Sequence, residues 1–388
     1  MTKTILQITP SLETTGGGVE RGTLDVAKEI AEVGYKSVIL TSGGEMAEKY
    51  KHKGVLNFYL SVEKKGLINY FRLKNKFKKL LKIIKPDIVH VRSRWPAFCL
   101  NSIIKTEKIP LITTYHGTYS GNTNFLKKRY NSVMVEGDKI IAISEFIRKH
   151  ILKYFPSVSK NLVLINRGID TDYFNSKGVS LFRKENIIKG LNISEDHHII
   201  LLPGRLTSWK GQEIAIDAAK YIKKLAPDLR FVFLLVGSQQ NRESYLNRLK
   251  EKISKYNLEH HVAFLGNKLD MPAVYSISDV VLSTSTLPEA FGRVSAEASA
   301  MGKPIIATNH GGSRDIIREN ITGWFVRPKN PTELSNKILE IIRKRQSEKD
   351  KIGQNARDRI IRYFNLKLML KKTIQLYEEL LSKKNTYN

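Results

Sequence analysis

Residues 288–298, PEAFGRVSAEA, place two acids eight positions apart around a Phe-Gly-Arg turn that leads into a run of small, helix-compatible residues. At about 1.5 Å of rise per residue, a helix starting near Gly292 carries Glu297 roughly 7 to 8 Å along its axis, while Glu289 stays in the loop before it. The N–H groups of Phe291, Gly292 and Arg293 then point beyond the helix N-terminus, where hydrogen bonding and the helix dipole both favour phosphate. Gly292 lets the backbone approach closely. A carboxylate at each end of such an anion seat suits a sugar nucleotide, with Glu289 toward the hexose and Glu297 toward the ribose.

Upstream of this stretch, residues 198–202, 230–237, 262–266 and 280–283 are short apolar runs, and 304–307 follow it. They alternate with helical segments, as a parallel sheet covered by helices requires. A similar alternation occupies the first half, at 4–8, 35–41, 88–91, 111–114 and 139–143. A polar, glycine-containing stretch from about 167 to 195 separates the two. With 388 residues the chain exceeds one comfortable core, so two α/β domains are expected.

Between the strand at 198–202 and the next helix lies PGRLTSWKG, residues 203–211, which brings Arg205 and Lys210 to a strand end. Fixed cations there stabilise negative charge best where it grows, on a departing diphosphate. Gly16, Gly17 and Gly18 end the first strand and precede Glu20 and Arg21. Their backbone can wrap a phosphate or admit an acceptor. His116 follows the strand at 111–114, and Arg92 and Arg94 follow the one at 88–91.

Together the E-x7-E from Glu289 to Glu297 and a segment close to G-R-L-x-x-x-K-G resemble the retaining glycosyltransferases of family 4, from the glycine loop to Trp324. The resemblance implies an α/β GT-B fold of two Rossmann-like domains facing a central cleft. It places an acceptor-binding domain at 1–175, a nucleotide-sugar-binding domain at 176–365, and a C-terminal helix at 366–388 packing back on the first domain. It also implies transfer of a hexosyl unit from a nucleotide sugar, taken as a UDP-sugar, to a hydroxyl of a glycolipid or of a lipopolysaccharide or capsule precursor. The anomeric configuration is retained by a front-face route, without a metal or other cofactor.

His116, Arg205, Lys210 and Glu289 are then the catalytic candidates. Gly17, Gly18, Arg205, Lys210, Glu289, Ala290, Phe291, Gly292, Arg293 and Glu297 are the donor-binding ones, and Glu20, Arg21 and Arg94 lie on the acceptor side. Asn166-Arg167-Gly168-Ile169-Asp170 departs from the family's N-G-[VI]-D by an inserted arginine. Gly311, Gly312 and the segment from Gly323 are expected to shape the cleft wall.

Charge and cysteine content set the surroundings. Against 37 Asp and Glu stand 65 Lys and Arg, a formal net charge of +28, which attracts polyanions. Residues 64–85, beginning on Lys64 and ending on Lys85, hold nine Lys or Arg and no acid, interleaved with Tyr70, Phe71, Leu73, Phe77, Leu80, Leu81 and Ile84. That pattern predicts an amphipathic helix with a basic face, and adsorption to an anionic membrane surface. The single cysteine, Cys99, and the lack of zinc-type spacing point to a reducing compartment and no metal site. No run is long enough for a membrane span or a secretory signal, so the expected place is cytoplasmic, on the cytosolic face of the inner membrane. Two competing functions remain at this level: an epimerase or hydrolase of nucleotide sugars, and a basic nucleic-acid-binding protein. The second lacks a recognition motif, and no nucleic acid partner is expected.

Overall fold

The computed structural model describes residues 2–13, 17–50, 52–120, 124–191, 193–240 and 242–386. Gly16 lies outside them. The chain divides into two compact units, one formed by Met1–Arg167 with Lys367–Asn388, the other by Gly168–Leu366.

Unit 1 carries seven strands: β1 (Thr4–Ile8), β2 (Lys36–Thr41), β3 (Val55–Tyr59), β4 (Ile88–Val91), β5 (Leu111–Tyr115), β6 (Lys139–Ala142) and β7 (Leu162–Leu164). Their order is β3-β2-β1-β4-β5-β6-β7, and every pair is parallel. The central strands β1, β4 and β5 are buried at every position, because helices cover both sheet faces. Unit 2 carries β8 (His198–Pro203), β9 (Phe231–Val236), β10 (Val262–Gly266), β11 (Val280–Ser283), β12 (Ile305–Thr308) and β13 (Trp324–Val326). Its order, β10-β9-β8-β11-β12-β13, repeats the pattern of unit 1 without a seventh strand. Both units are therefore Rossmann-like, and in each the order reverses between the first and fourth strands. Ligands of doubly wound sheets bind outside the carboxyl ends of the strands at that switch point. The segments after β1 and β4 in unit 1, and after β8 and β11 in unit 2, are the ones to inspect.

The core of unit 2 packs Phe231, Phe233 and Leu235 of β9 against Ile216, Ala219 and Ile222 of the helix Gln212–Leu225 on one sheet face. In unit 1 the C-terminal helix Leu366–Thr386 contributes Ile374, Leu376, Tyr377, Leu380 and Leu381 to the buried set. Tyr377 donates to or accepts from His90 Nδ1 at 2.7 Å, and Lys139 pairs with Glu379 at 3.1 Å. Full burial of such side chains contributes about 1.5 to 3 kcal/mol each, enough to fix this helix on the sheet that began the chain.

The chain leaves unit 1 after Arg167, eight residues before position 175. Ile169 N–H donates to Phe364 O and Leu366 N–H to Ile169 O, so the connector from Gly168 onward is hydrogen-bonded into unit 2. Gly168 is obligatory there, since a Cβ would lie 2.5 Å from Leu366 Cα. Among the described residues, no helix is long and apolar enough to cross a membrane.

Candidate active site

In unit 2 the segment after β8 begins at Gly204, whose φ of +156° only glycine adopts freely. It carries Arg205 on the surface, turns through Ser208–Lys210, and enters the helix Gln212–Leu225 at Gly211. Gly211 has φ +81°, and a Cβ on it would meet Thr284 O at 2.1 Å. The two switch-point segments are thus in backbone contact. Gln212 Nε2 donates to Arg205 O at 2.9 Å, and Thr286 N–H to Trp209 O at 2.7 Å, fixing the turn.

Lys210 and Glu289 meet across this junction, Nζ to Oε1 at 2.7 Å, with side-chain exposures of 12% and 10%. Burial pushes the Glu289 carboxyl up, but Lys210 and a hydrogen bond from Ser285 Oγ outweigh it and hold the group below the usual carboxylate range. Lys210 Nζ also lies 4.5 Å from the centre of the Trp209 ring. The carboxylate is therefore ionised, and the pair is shielded and held in place.

The helix after this loop runs Arg293–Ala300, with Gly292 at its N-cap in the left-handed region at φ +84°. A side chain on Gly292 would collide with Ser313 Oγ at 2.7 Å and Ser313 N at 2.9 Å. Gly311 and Gly312 are equally constrained, their Cβ positions lying 2.6 Å from Glu289 O and 2.5 Å from Phe291 backbone atoms. Gly312 N–H donates to Glu289 O at 2.7 Å. The loop containing Glu289, Ala290 and Phe291 is thus clamped by the glycines after β12. Glu297 is buried on the helix, accepting from Tyr275 Oη at 2.8 Å and from Arg293 Nε at 2.5 Å. Arg293, expected at the donor through its backbone N–H, pairs its side chain with Glu297.

Four side chains that sequence reasoning did not select complete the unit 2 cluster. Ser285 and Tyr275 hold the two glutamates. His310 Nε2 donates to Ser285 O at 2.9 Å, and Thr308 Oγ1 donates to the same carbonyl at 2.9 Å. The available signal was position: Ser285 and His310 each stand two residues past the ends of β11 and β12.

Unit 1 presents its own switch-point residues. Gly17 caps the helix Gly18–Glu32 without a side-chain hydrogen bond. Glu20 has a buried Oε2 with no hydrogen-bond partner, and Arg21 sits 3.9 Å from Asp25 on the exposed side. Arg94 is held by Asn131 at 2.9 Å and lies 4.1 Å from the centre of the Tyr119 ring. His116 follows β5, and both its ring nitrogens are shielded from solvent and unpartnered. Burial, then the nearby Arg167 and Arg92, depress its pKa well below the ordinary value, so it is neutral. Arg92 after β4 is buried and donates through Nε and Nη2 to Gln7 Oε1 at 2.9 and 2.6 Å.

Among the described residues no cluster of His, Cys, Asp and Glu could hold a metal ion. His116, Gly17, Gly18, Glu20, Arg21 and Arg94 lie in unit 1. Arg205, Lys210, Glu289, Ala290, Phe291, Gly292, Arg293 and Glu297 lie together in unit 2.

The family model for glycosyl transferases group 1 matches residues 183–359, and that for Glycosyltransferase Family 4 matches residues 16–173. A crystal structure of a glycosyltransferase from Rickettsia africae ESF-5 superposes with a TM-score of 0.87 at 34% identity, covering 98% of this chain and 99% of that one. The Anabaena protein HepE, in complex with UDP and glucose, gives a TM-score of 0.81 at 22% identity over 96% of this chain and 99% of its own. An uncharacterized glycosyltransferase of Methanocaldococcus jannaschii is 26% identical over 376 residues, 94% of this chain and 95% of that protein. Two Rossmann-like units, a clamped E-x7-E loop and these relatives lead to one statement of kinship: the chain belongs to the glycosyltransferases, of the family 4 type on the GT-B fold.

Proposed function

We propose that this glycosyltransferase moves a hexosyl unit from a UDP-sugar to a hydroxyl of a membrane-borne glycolipid or lipopolysaccharide or capsule precursor, with retention of configuration. The observation that carries the proposal is the shielded Lys210–Glu289 pair at the switch point of unit 2, beside the glycine-capped helix that bears Glu297. Lys210 and Arg205 take up the charge that grows on the diphosphate as the glycosidic bond breaks, which is when a fixed cation contributes most. No divalent metal is required for that neutralisation. Glu289, kept ionised, accepts from sugar hydroxyls, and Glu297 from the ribose. Binding of UDP and glucose by HepE supports the choice of nucleotide. His116 of unit 1, neutral and with unspent ring nitrogens, is the hydrogen-bonding group assigned to the transferred sugar. Relatives that are transferases do not favour the epimerase or hydrolase alternative.

Support for a membrane-borne acceptor comes from the helix Leu67–Ile84. Leu73, Phe77, Leu81 and Ile84 face inward, while Leu67, Ile68, Phe71 and Ile83 are left exposed among the lysines. Phe98 touches both Tyr70 and Tyr130, joining this surface to the helix Phe125–Ser132, whose Phe125 and Leu126 are also exposed. Apolar side chains set among cations fit an anionic bilayer surface.

The donor assignment is tested by thermal unfolding in the presence of UDP- and GDP-sugars. A ligand that binds only the folded state at 100 times its Kd stabilises it by about 2.7 kcal/mol. UDP-sugars are expected to raise the Tm by several degrees. Absence of a shift with every nucleotide sugar would remove the donor site.

A further inference from the structure

Two helices of unit 2 meet at Glu297. The helix Met271–Ser276 carries Tyr275 near its C-terminal end, and the helix Arg293–Ala300 carries Glu297 on its second turn. Tyr275 is fully buried and donates its hydroxyl to Glu297 Oε2 at 2.8 Å, while Arg293 Nε donates to Oε1 at 2.5 Å. Each carboxylate oxygen therefore has a protein donor, and the group cannot turn about its last bond without losing both. Burial, then the Glu297 carboxylate, push the Tyr275 phenol well above its usual pKa, so it stays protonated and keeps donating. A carboxylate accepts at about four lone-pair sites, so about two remain for a ligand. The Glu297 side chain is 7% exposed, which leaves those sites to a small donor group.

A second link ties the same two helices. Lys303 follows the helix Arg293–Ala300, its N–H donating to Ala298 O at 2.9 Å. Its Nζ reaches Ser276 O at 2.8 Å and Ser278 O at 2.9 Å, at and just past the end of the helix Met271–Ser276. A cation suits that end, where carbonyls lack intrahelical partners. Ser278 Oγ donates in turn to Tyr275 O at 2.8 Å, and the Phe174 ring meets the Tyr275 ring edge-on at 6.1 Å. Taking an ammonium out of water is unfavourable unless hydrogen bonds replace its hydration, and burial pulls Lys303 down to about 8. What the lysine secures is the short helix that bears Tyr275.

We propose that Tyr275 and Lys303 are positioning residues that aim the Glu297 carboxylate at the vicinal hydroxyls of the donor's ribose, so that the enzyme selects ribonucleotide over 2′-deoxyribonucleotide donors. A site built to hydrogen-bond a hydroxyl rejects a ligand lacking it, because the site's own polar group is left unpaired. That rejection is sharp only while the carboxylate is held in one orientation. The selection rests on Glu297 contacting the ribose, as proposed above; the clamp on its carboxylate rests on the hydrogen bonds of unit 2 alone.

Calorimetric affinities of UDP and 2′-deoxy-UDP for the full chain test this, measured in the native protein and in Y275F, K303M and E297Q. The native chain is expected to bind UDP about tenfold tighter or more, the scale of one hydrogen bond to a carboxylate. The preference should fall to about threefold or less in Y275F and K303M, which leave Glu297 itself unaltered, and vanish in E297Q. A merely structural role for Tyr275 or Lys303 would weaken both nucleotides alike and keep the ratio. Y275F retains the aromatic ring, so it serves where K303M fails to fold. A native ratio retained in either variant would overturn that residue's role, while its loss in E297Q would leave the ribose contact standing. Equal affinity of the native chain for the two nucleotides, or no binding of UDP, would remove the ribose contact and the selection with it.

Discussion

Lys210 and Glu289 are the residues proposed to carry the chemistry of unit 2, and their pairing has a measurable thermodynamic signature. Because Lys210 and Ser285 hold the Glu289 carboxyl below its usual range in the folded state, the pair stabilises the fold above the unfolded carboxylate pKa. That stability is lost as pH falls through the lower, folded value. Breaking a shielded pair by removing one partner costs about 3 kcal/mol or more, since the remaining charge is stranded. K210M is therefore expected to lower stability by about 3 kcal/mol at neutral pH. The deficit relative to the native chain should shrink in acid, as Glu289 protonates in both. Urea unfolding at neutral and acidic pH measures this; a deficit that does not change with pH would deny the pairing. Much of this cluster was legible in sequence, because Arg205, Lys210, Glu289 and Glu297 each stand just past a strand or on the following turn of helix. Tyr275 and His310 were not, since a hydrogen bond to Glu297 or to Ser285 O joins segments 22 and 25 residues apart and leaves no periodic trace. The buried contacts of unit 1 were harder still: His90 finds Tyr377 at a separation of 287 residues.

Strands and helices were legible in proportion to how completely they are buried. β1, β4 and β8 present almost continuous apolar runs, because both of their faces are covered. The edge strands β3 and β7 did not announce themselves: every residue of each is only partly buried or exposed, so neither alternation nor an apolar run develops. β13, Trp324–Val326, looks like part of a turn because it is three residues long and follows Gly323 at φ +151°. The helix Leu67–Ile84 shows the converse. Its 3.6-residue pattern predicts the inward line of Leu73, Phe77, Leu81 and Ile84, but not that Leu67, Ile68 and Phe71 stay outside it. Sedimentation with vesicles measures whether that outer surface meets lipid. With each Lys near an anionic surface contributing about 1 kcal/mol, reversing the exposed Lys78, Lys79 and Lys82 to Glu should lower binding by about 100-fold or more. Neutral vesicles should bind far less of the native chain than anionic ones. Equal, negligible binding to both would remove the membrane from the account.

At the scale of the whole molecule, two copies of one topology carry different side chains at their switch points. Each unit reverses its strand order beside its first strand, and each places charged side chains at that point. Unit 2 pairs its cation with a carboxylate, Lys210 with Glu289, the pair to which the grip on a diphosphate and a sugar is proposed to belong. Unit 1 instead sets the buried Arg92 after β4 and the neutral His116 after β5. The net charge of +28 supplies the long-range field in which both operate, and it draws anionic ligands and surfaces without selecting among them. The central claim is the grip on pyrophosphate in unit 2, and a crystal structure with UDP bound tests it most directly. Diphosphate oxygens are predicted within about 3 Å of Arg205 and Lys210 and before the N-terminus of the helix Arg293–Ala300, with the ribose hydroxyls on Glu297. A nucleotide seated elsewhere, with those side chains turned away from it, would contradict the claim.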